Sequence, residues 1–291
     1  MQVGLLIATL GIFPGPVASG APPAGATEPA AAPGAGPAPE ELRALEDRGR
    51  RIALYFEAVR EAEELVRSAG HDLRPDRVLV VAERDAWRVV FLRDVVEQGR
   101  KQGLKIQAEV SFNPVVGELG AIRIAIPPRP ATAAVASHAR ALDVAEASAA
   151  GHPKVPPPFE ASVFREADGS FDVYLKSKGD DPGLVRFGGD LRVRVASTGR
   201  QRMELEVLHG EPVVVSRAPR AAGSPTIHEH APGDLPSPTD IAEILRDPSL
   251  APHLVLTPRW MFRVDGQGNV TYLGPSPSAS APSASPTPGR P

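Results

Sequence analysis

The chain contains no cysteine. This absence excludes disulfide bonds, thiolate metal sites, a cysteine nucleophile and a cysteine-linked lipid anchor. A strong charge of either sign is also missing, because 32 Lys and Arg residues face 35 Asp and Glu residues and leave a net charge of −3. That balance argues against general electrostatic binding of nucleic acid. The apolar run near the N-terminus is too short and too interrupted by proline for an integral membrane span.

Proline, by contrast, is abundant, with 33 residues among 291. So many prolines are incompatible with regular structure throughout, and part of the chain is therefore expected to be linker. The apolar fraction of 42% is ordinary for a globular protein. The length allows one large domain or two small ones with a sizeable core.

The two ends of the chain differ in composition from the rest. Residues 1–19 form an apolar segment ending in small residues, as in a secretory signal peptide, although a positively charged start is missing. An unstructured apolar N-terminus is the alternative. Residues 20–39, rich in Ala, Pro and Gly, predict a linker, and residues 275–291, rich in Ser, Pro and Ala, predict a disordered tail. We therefore expect an exported protein, periplasmic or secreted.

The patterns between the two ends predict an α+β fold. Residues 39–70 carry apolar side chains at helical spacing, which predicts a long N-terminal helix. A small antiparallel sheet is expected to follow, with strands at 78–81, 87–92, 105–112 and 121–126. A second helix, over 132–150, completes an N-terminal α+β region at 40–151.

A proline-rich segment at 152–158 marks the expected start of a β-rich domain, residues 152–274, with one motif helix. From Phe159 the pattern predicts an antiparallel meander, with tight turns at Asp168-Gly169, Gly188-Gly189-Asp190 and Thr198-Gly199. Gly188-Gly189 lacks the strand-to-helix context of a phosphate-binding loop, so a bulge or tight turn is expected there. The sequence leaves open whether the two halves form one domain.

Residues 226–240 concentrate the side chains that can carry chemistry. His228 and His230 are two residues apart, so on an extended strand both imidazoles lie on one face and Glu229 on the other. Their Cα atoms are then roughly 6.5 Å apart, a distance at which two imidazoles can hold one metal ion. Asp240 is a candidate third ligand. Two histidines, one carboxylate and an open position are what a catalytic zinc ion requires.

These residues, in this order, resemble the MPN/JAMM group of zinc peptidases. The match consists of His228-x-His230, Ser237-x-x-Asp240, a helix and the apolar strand at 252–257. The resemblance implies that His228, His230 and Asp240 bind zinc. It also implies that Ser237 is catalytic, supporting the oxyanion or the bound water, and that a glutamate elsewhere is the general base. An MPN-like fold is expected for the second half.

The match covers about residues 224–265 and departs from the family in three ways. Six residues separate His230 from Ser237, one fewer than is usual in the family, and Ala231 stands where the family has proline. No counterpart of the catalytic glutamate stands out. Nothing in the spacing selects a base among Glu204, Glu206 and Glu211. His209, at the end of a predicted strand, is a candidate extra ligand.

The same residues also suit a helix start without a metal. Ser237 would be the N-cap, Pro238 would occupy the first helical position, and Asp240 would return a capping bond from the third. The histidine pair would then be surface residues of a strand. The two interpretations are compatible, because a serine can cap the helix while the aspartate faces a metal.

Two functions follow from these alternatives. The first is an exported, zinc-dependent hydrolase of amide or isopeptide bonds. The second is a non-catalytic envelope or secreted module that keeps the fold and acts by binding a protein or peptide. The missing glutamate favours the second, and the intact histidine, serine and aspartate pattern favours the first.

Overall fold

The structure, a computed structural model, describes residues 36–83, 86–153, 155, 157–179, 181, 183–217, 224–230 and 233–277. The predicted signal peptide and most of the predicted linker and tail lie outside these residues. The helices are α1 (Pro39–Ser68), α2 (Ala133–Ala149) and α3 (Pro238–Arg246), and a 3-10 turn covers Pro248–Leu250. The strands are β1 (Arg77–Glu83), β2 (Ala86–Glu97), β3 (Arg100–Asn113), β4 (Glu118–Pro130), β5 (Phe159–Arg165), β6 (Phe171–Ser177), β7 (Leu184–Phe187), β8 (Asp190–Val195), β9 (Arg202–Val207), β10 (Val213–Ser216), β11 (Thr226–Glu229), β12 (His253–Leu256), β13 (Trp260–Val264) and β14 (Val270–Pro275). The α+β class predicted from the sequence is confirmed.

Helix α1 supports the motif helix α3 directly. It starts with Pro39, which suits the first helical turn because its missing N–H would have no partner there. Its apolar face is buried, and Gly49 lies on that face. A Cβ on Gly49 would lie 2.6 Å from Cβ of Ile241, so only a glycine allows the two helices to approach this closely.

The first sheet is antiparallel, in the order β1-β2-β3-β4. Both of its faces are covered, which explains its long apolar strands. One face packs on α2 and on the second sheet through Leu79, Val81, Val90, Leu92 and Ile106. The other face packs on α1 through Val80, Val89, Phe91, Val110 and Phe112.

The second sheet, in the order β5-β6-β8-β9, is the predicted meander with one exception. The turn at Gly188-Gly189 does not join two paired strands. Instead, β7 leaves the meander and pairs with β10, while β8 pairs with β6 and β9. Both glycines have positive φ, 84° and 73°, so the chain changes direction sharply between β7 and β8. This turn places β7 beside the motif strands.

The motif residues lie on a β-α-β unit. Strand β11 pairs in parallel with β12, and α3 is the connection between them. A parallel pair needs such a crossover connection, whereas the pairs β12–β13 and β13–β14 are joined as antiparallel hairpins. The resulting third sheet has the order β11-β12-β13-β14.

The two halves of the sequence share their cores. One apolar cluster joins β1–β3, α2 and the strands β5, β6 and β8, so no boundary in the core coincides with residues 152–158. A separate cluster joins α3 and β12–β14 with Phe187 of β7. The described residues accordingly form one compact unit. Among the described residues, no helix has the length and apolar content needed to cross a membrane.

Candidate metal centre

The histidine pair adopts the predicted arrangement on β11 and just beyond it. His228 and His230 are buried and Glu229 is exposed, so the two imidazoles share the inner face of the strand. The N–H of His230 donates to the carbonyl of Leu256 at 2.7 Å, which extends the parallel ladder with β12 past the end of β11. The backbone of both histidines is therefore fixed.

Asp240 both caps its helix and faces the histidines. Its Oδ2 accepts the N–H of Ser237 at 2.9 Å, and its own N–H donates to Oγ of Ser237 at 3.1 Å. This is the predicted capping box, with Ser237 as N-cap. The Asp240 carboxylate is also 3.5 Å from Nε2 of His230, through Oδ2, and 3.6 Å from Nε2 of His228, through Oδ1. The two interpretations of the sequence therefore coexist in one side chain.

His209 enters the same site from a distant part of the chain. It follows β9, and the centroid of its ring is 4.7 Å from that of His230 and 5.0 Å from that of His228. Gly188 makes this position available, because a Cβ there would lie 2.7 Å from Cγ of His209 and closer still to Nδ1. In the sequence, His209 stood out only as a candidate extra ligand. It lies at the centre of the cluster.

Three of these residues offer ligand atoms to one point. One atom each from His209, His230 and Asp240 lies within 4.8 Å of the other two, and all three side chains are buried. Two atoms bound to one zinc ion at about 2.0–2.1 Å in tetrahedral geometry are about 3.4 Å apart. The 3.5 Å between Oδ2 of Asp240 and Nε2 of His230 is close to that value. His209, His230 and Asp240 could therefore hold a metal ion with nitrogen and oxygen ligands.

Burial and charge act in opposite directions on the ionisable groups of this site. Burial lowers the pKa of His209 to about 4, with Asp240 opposing this, and burial also lowers the pKa of His230. Burial alone would raise the pKa of Asp240, but attraction to His228, His230 and His209 in their protonated forms outweighs it and holds that pKa well below its usual value. A buried carboxylate beside neutral imidazoles is costly, and a divalent cation would neutralise it.

Unsatisfied polar atoms are concentrated at this site. Burial without a hydrogen bond normally costs a polar atom about 1–3 kcal/mol, so such atoms are rare in native structures. Here the atoms without a hydrogen-bond partner are both ring nitrogens of His209, both of His230, Nε2 of His228 and Oδ1 of Asp240. All six belong to the residues that surround the same point. A bound metal ion would take one nitrogen from a ring together with the Asp240 oxygen, so it would provide a partner for some of these atoms.

A chain of hydroxyl groups links Ser237 to a second buried carboxylate. Oγ of Ser237 is 2.7 Å from Oγ1 of Thr239, which donates to Oδ2 of Asp190 at 2.6 Å. The Ser237 hydroxyl is therefore engaged within the protein, between Thr239 and the N–H of Asp240. The sequence analysis did not identify Asp190, because its position beside α3 depends on how β8 packs.

Asp190 predicts a pH-dependent stability. Burial raises its pKa from 3.8 to about 6, against the attraction of Lys176. The ionised form is thus disfavoured by folding, and the native state loses stability as the pH rises from about 4 to about 6. The difference corresponds to at most roughly 3 kcal/mol.

We expect Asp190→Asn to stabilise the metal-free protein by about 1–2 kcal/mol at pH 7 and to have little effect at pH 4. Denaturant unfolding in the presence of a chelator at both pH values measures this. Asp72→Asn, at an exposed carboxylate, should change the free energy of unfolding by no more than about 0.5 kcal/mol at either pH. An equal loss of stability at both pH values would show that Asp190 is needed as a structural acceptor.

Two further side chains complete the surroundings of His228. Nδ1 of His228 and Nε2 of His253 are 2.6 Å apart, and the other nitrogen of His253 is bonded to the Thr226 hydroxyl. Phe187 stacks on both rings, with centroid distances of 4.9 Å to His228 and 4.4 Å to His253. His253 was missed because a histidine on an apolar strand has no local pattern. The one sequence feature that points to His253 is the clustering of histidines, since four of the seven lie between residues 209 and 253.

The site therefore has a nitrogen and oxygen ligand set, fixed backbones and a network of supporting hydrogen bonds. Comparison of the chain with models of protein families, with characterised proteins and with solved structures found no match. The MPN/JAMM resemblance accordingly stays a prediction, and so do the assignments of zinc ligation to His228 and of catalysis to Ser237. A buried group of His209, His230 and Asp240 that can hold a metal ion is what this chain provides.

Proposed function

We propose that this protein binds one zinc ion through His209, His230 and Asp240, and that the ion stabilises its C-terminal β-α-β unit. The observation that carries the proposal is that one ligand atom each from the buried His209, His230 and Asp240 lies within 4.8 Å of the other two, and that Nε2 of His230 and Oδ1 of Asp240 have no hydrogen-bond partner. Imidazole nitrogens with one carboxylate oxygen suit zinc better than calcium or magnesium, which prefer oxygen ligands.

The role we favour is a non-catalytic module, exported and acting through contacts with a protein or peptide. Burial supports a metal site enclosed by protein, because the four clustered histidines and Asp240 are at most 3% exposed. Closed sites of this kind are typical of structural zinc, whereas catalytic zinc keeps an accessible position. The engaged hydroxyl of Ser237 supports the same role.

A zinc-dependent amide or isopeptide hydrolase is the second candidate. The order of residues on β11, α3 and β12 favours it, because the β-α-β unit carries the histidines on its first strand and the aspartate at its helix start. In such an enzyme a bound zinc ion would supply Lewis acid chemistry. Asp190, with a pKa of about 6, is linked to Ser237 through the Thr239 hydroxyl and would be the candidate base in this alternative.

Metal analysis of the purified protein tests the proposal. We expect one zinc ion per chain, and less than a tenth of that in His230→Ala, because a lost ligand costs at least about 3 kcal/mol when about 10–16 kcal/mol is shared among three protein ligands. His71→Ala, at an exposed histidine, should retain full zinc. Equal zinc in all three proteins would contradict the site.

Peptide and isopeptide hydrolysis by the zinc-loaded protein separates the two roles. We expect no turnover above that of His230→Ala. Turnover that a chelator abolishes and zinc restores would establish the hydrolase instead.

A further inference from the structure

Thr226, His253 and His228 form a directed chain of hydrogen bonds. The hydroxyl of Thr226 donates its single proton to the carbonyl oxygen of Leu250 at 2.6 Å, because a carbonyl can only accept. Towards Nδ1 of His253 the same hydroxyl oxygen must therefore act as acceptor. In the neutral imidazole of His253 the proton is thus on Nδ1, and Nε2 carries the lone pair.

The same reasoning sets the tautomer of His228. Because Nε2 of His253 is an acceptor, Nδ1 of His228 must carry the proton in the 2.6 Å bond between them. Nε2 of neutral His228 then carries a lone pair and has no hydrogen-bond partner. It lies 3.6 Å from Oδ1 of Asp240, so that a lone pair faces a carboxylate oxygen. Two such atoms repel each other unless a cation lies between them.

Resting on the proposed zinc site, we propose that Thr226 and His253 are positioning residues that make His228 the fourth ligand of the metal. Metal-bound histidines usually donate their other N–H to an acceptor that fixes ring orientation and tautomer. His253 is that acceptor for His228, and Phe187, stacked on both rings, holds them in register. The ion would then have four protein ligands, His209, His228, His230 and Asp240.

Nitrogen NMR of the metal-free protein reads the tautomer without any metal. With histidine labelled with ¹⁵N, we expect the proton of His228 on Nδ1 at pH 8, and Nε2 unprotonated. A proton on Nε2 of His228 at that pH would overturn the proposal, because this nitrogen could not then be held ready for a metal. The Thr226→Val variant removes the acceptor for His253 and should leave both tautomers populated.

Metal affinity tests the effect on the site, with cobalt(II) as an absorbing substitute for zinc. Thr226→Val should weaken cobalt binding by about 10–100-fold and lower its visible absorption. Thr257→Val is the matched control, because Thr257 is also buried and bonds a carbonyl, that of Trp260, at 3.0 Å, and it should change affinity by less than about threefold. His253→Gln, which keeps an acceptor, should bind more tightly than His253→Leu.

The outcomes separate this proposal from the one on which it rests. If the wild type binds cobalt and the Thr226 and His253 variants bind it equally well, the assignment of His228 is overturned and the three-ligand site stands. If the wild type binds no metal at all, the zinc proposal fails and the ligand assignment fails with it. In that case the NMR spectrum still shows whether the hydrogen-bond chain exists.

Discussion

Zinc is expected to raise the melting temperature of the metal-free protein by about 8–16 °C. A ligand that binds only the native state at 1,000 times its dissociation constant stabilises it by about 4 kcal/mol. For a domain of this size, each kcal/mol shifts the melting temperature by about 2–4 °C. The ligand atoms of His209, His230 and Asp240 converge only in the folded chain, so selective binding to the native state is expected. Thermal unfolding with a chelator and then with excess zinc measures the shift.

The control for this result is the double variant His230→Ala/Asp240→Ala. It should melt below the wild type even without metal, because the Ser237 N–H loses the Asp240 carboxylate as its acceptor. Zinc should leave its melting temperature unchanged. A similar shift in the variant, or an equal shift of the wild type with magnesium, would contradict a specific site.

The pH dependence of the same experiment has a definite sign. Burial lowers the pKa of His209 to about 4 and also lowers that of His230, so both side chains become neutral at a lower pH than a free imidazole does. Neutral imidazoles bind zinc without releasing protons, and the shift should therefore persist at pH 6. In the metal-free protein, the two histidines have a higher pKa in the unfolded chain than in the native state, so the unfolded chain binds protons at a higher pH. Stability should fall as the pH drops below about 6.5 towards 4.

Gly188→Ala is expected to lower zinc affinity on the order of 100-fold, although residue 188 binds no metal. An added Cβ would overlap the His209 ring, and the φ of 84° is unfavourable for any residue with a side chain. The ring must move away and its ligand atom is lost, which costs about 3 kcal/mol of metal binding. Titration of the variant with zinc, in competition with a chromophoric chelator, measures the change.

A matched variant separates backbone strain from the clash. Gly151 has a φ of 80° but open space around its Cβ position, so Gly151→Ala carries the strain alone. We expect it to lose about 1–2 kcal/mol of stability and to bind zinc normally. Adding His209→Ala to Gly188→Ala should restore part of the stability but none of the affinity. Normal zinc binding by Gly188→Ala would remove His209 from the site.

The parts of the site that sequence analysis predicted are those governed by local rules. The shared face of His228 and His230 follows from strand alternation, and the roles of Ser237 and Asp240 at the start of α3 follow from helix capping. The long helix α1 and the α+β class follow from apolar periodicity in the same way.

The parts that local rules do not predict, among them the place of the candidate ligand His209 in the cluster, depend on which strands become neighbours. His209 reaches the cluster because β7 leaves the meander at Gly188 and pairs with β10, which no local pattern indicates. His253 and Asp190 enter through the packing of β12 and β8 against α3 and β11. The shared core of the two halves was equally hidden, since the proline-rich segment at 152–158 reads as a boundary while α2 packs across it.

Because His209 lies apart from the other candidate ligands, a bound ion would crosslink two parts of the fold. His209 ends a strand of the second sheet, whereas the remaining ligands belong to the β-α-β unit of the third sheet. A link from residue 209 through a metal ion to residue 240 would close a loop of about thirty residues. Closing a loop of that length lowers the entropy of the unfolded chain, which corresponds to roughly 3–4 kcal/mol. In a chain that has no cysteine to form disulfide bonds, the ion would crosslink the second and third sheets. A chelator, rather than a reductant, would remove this crosslink.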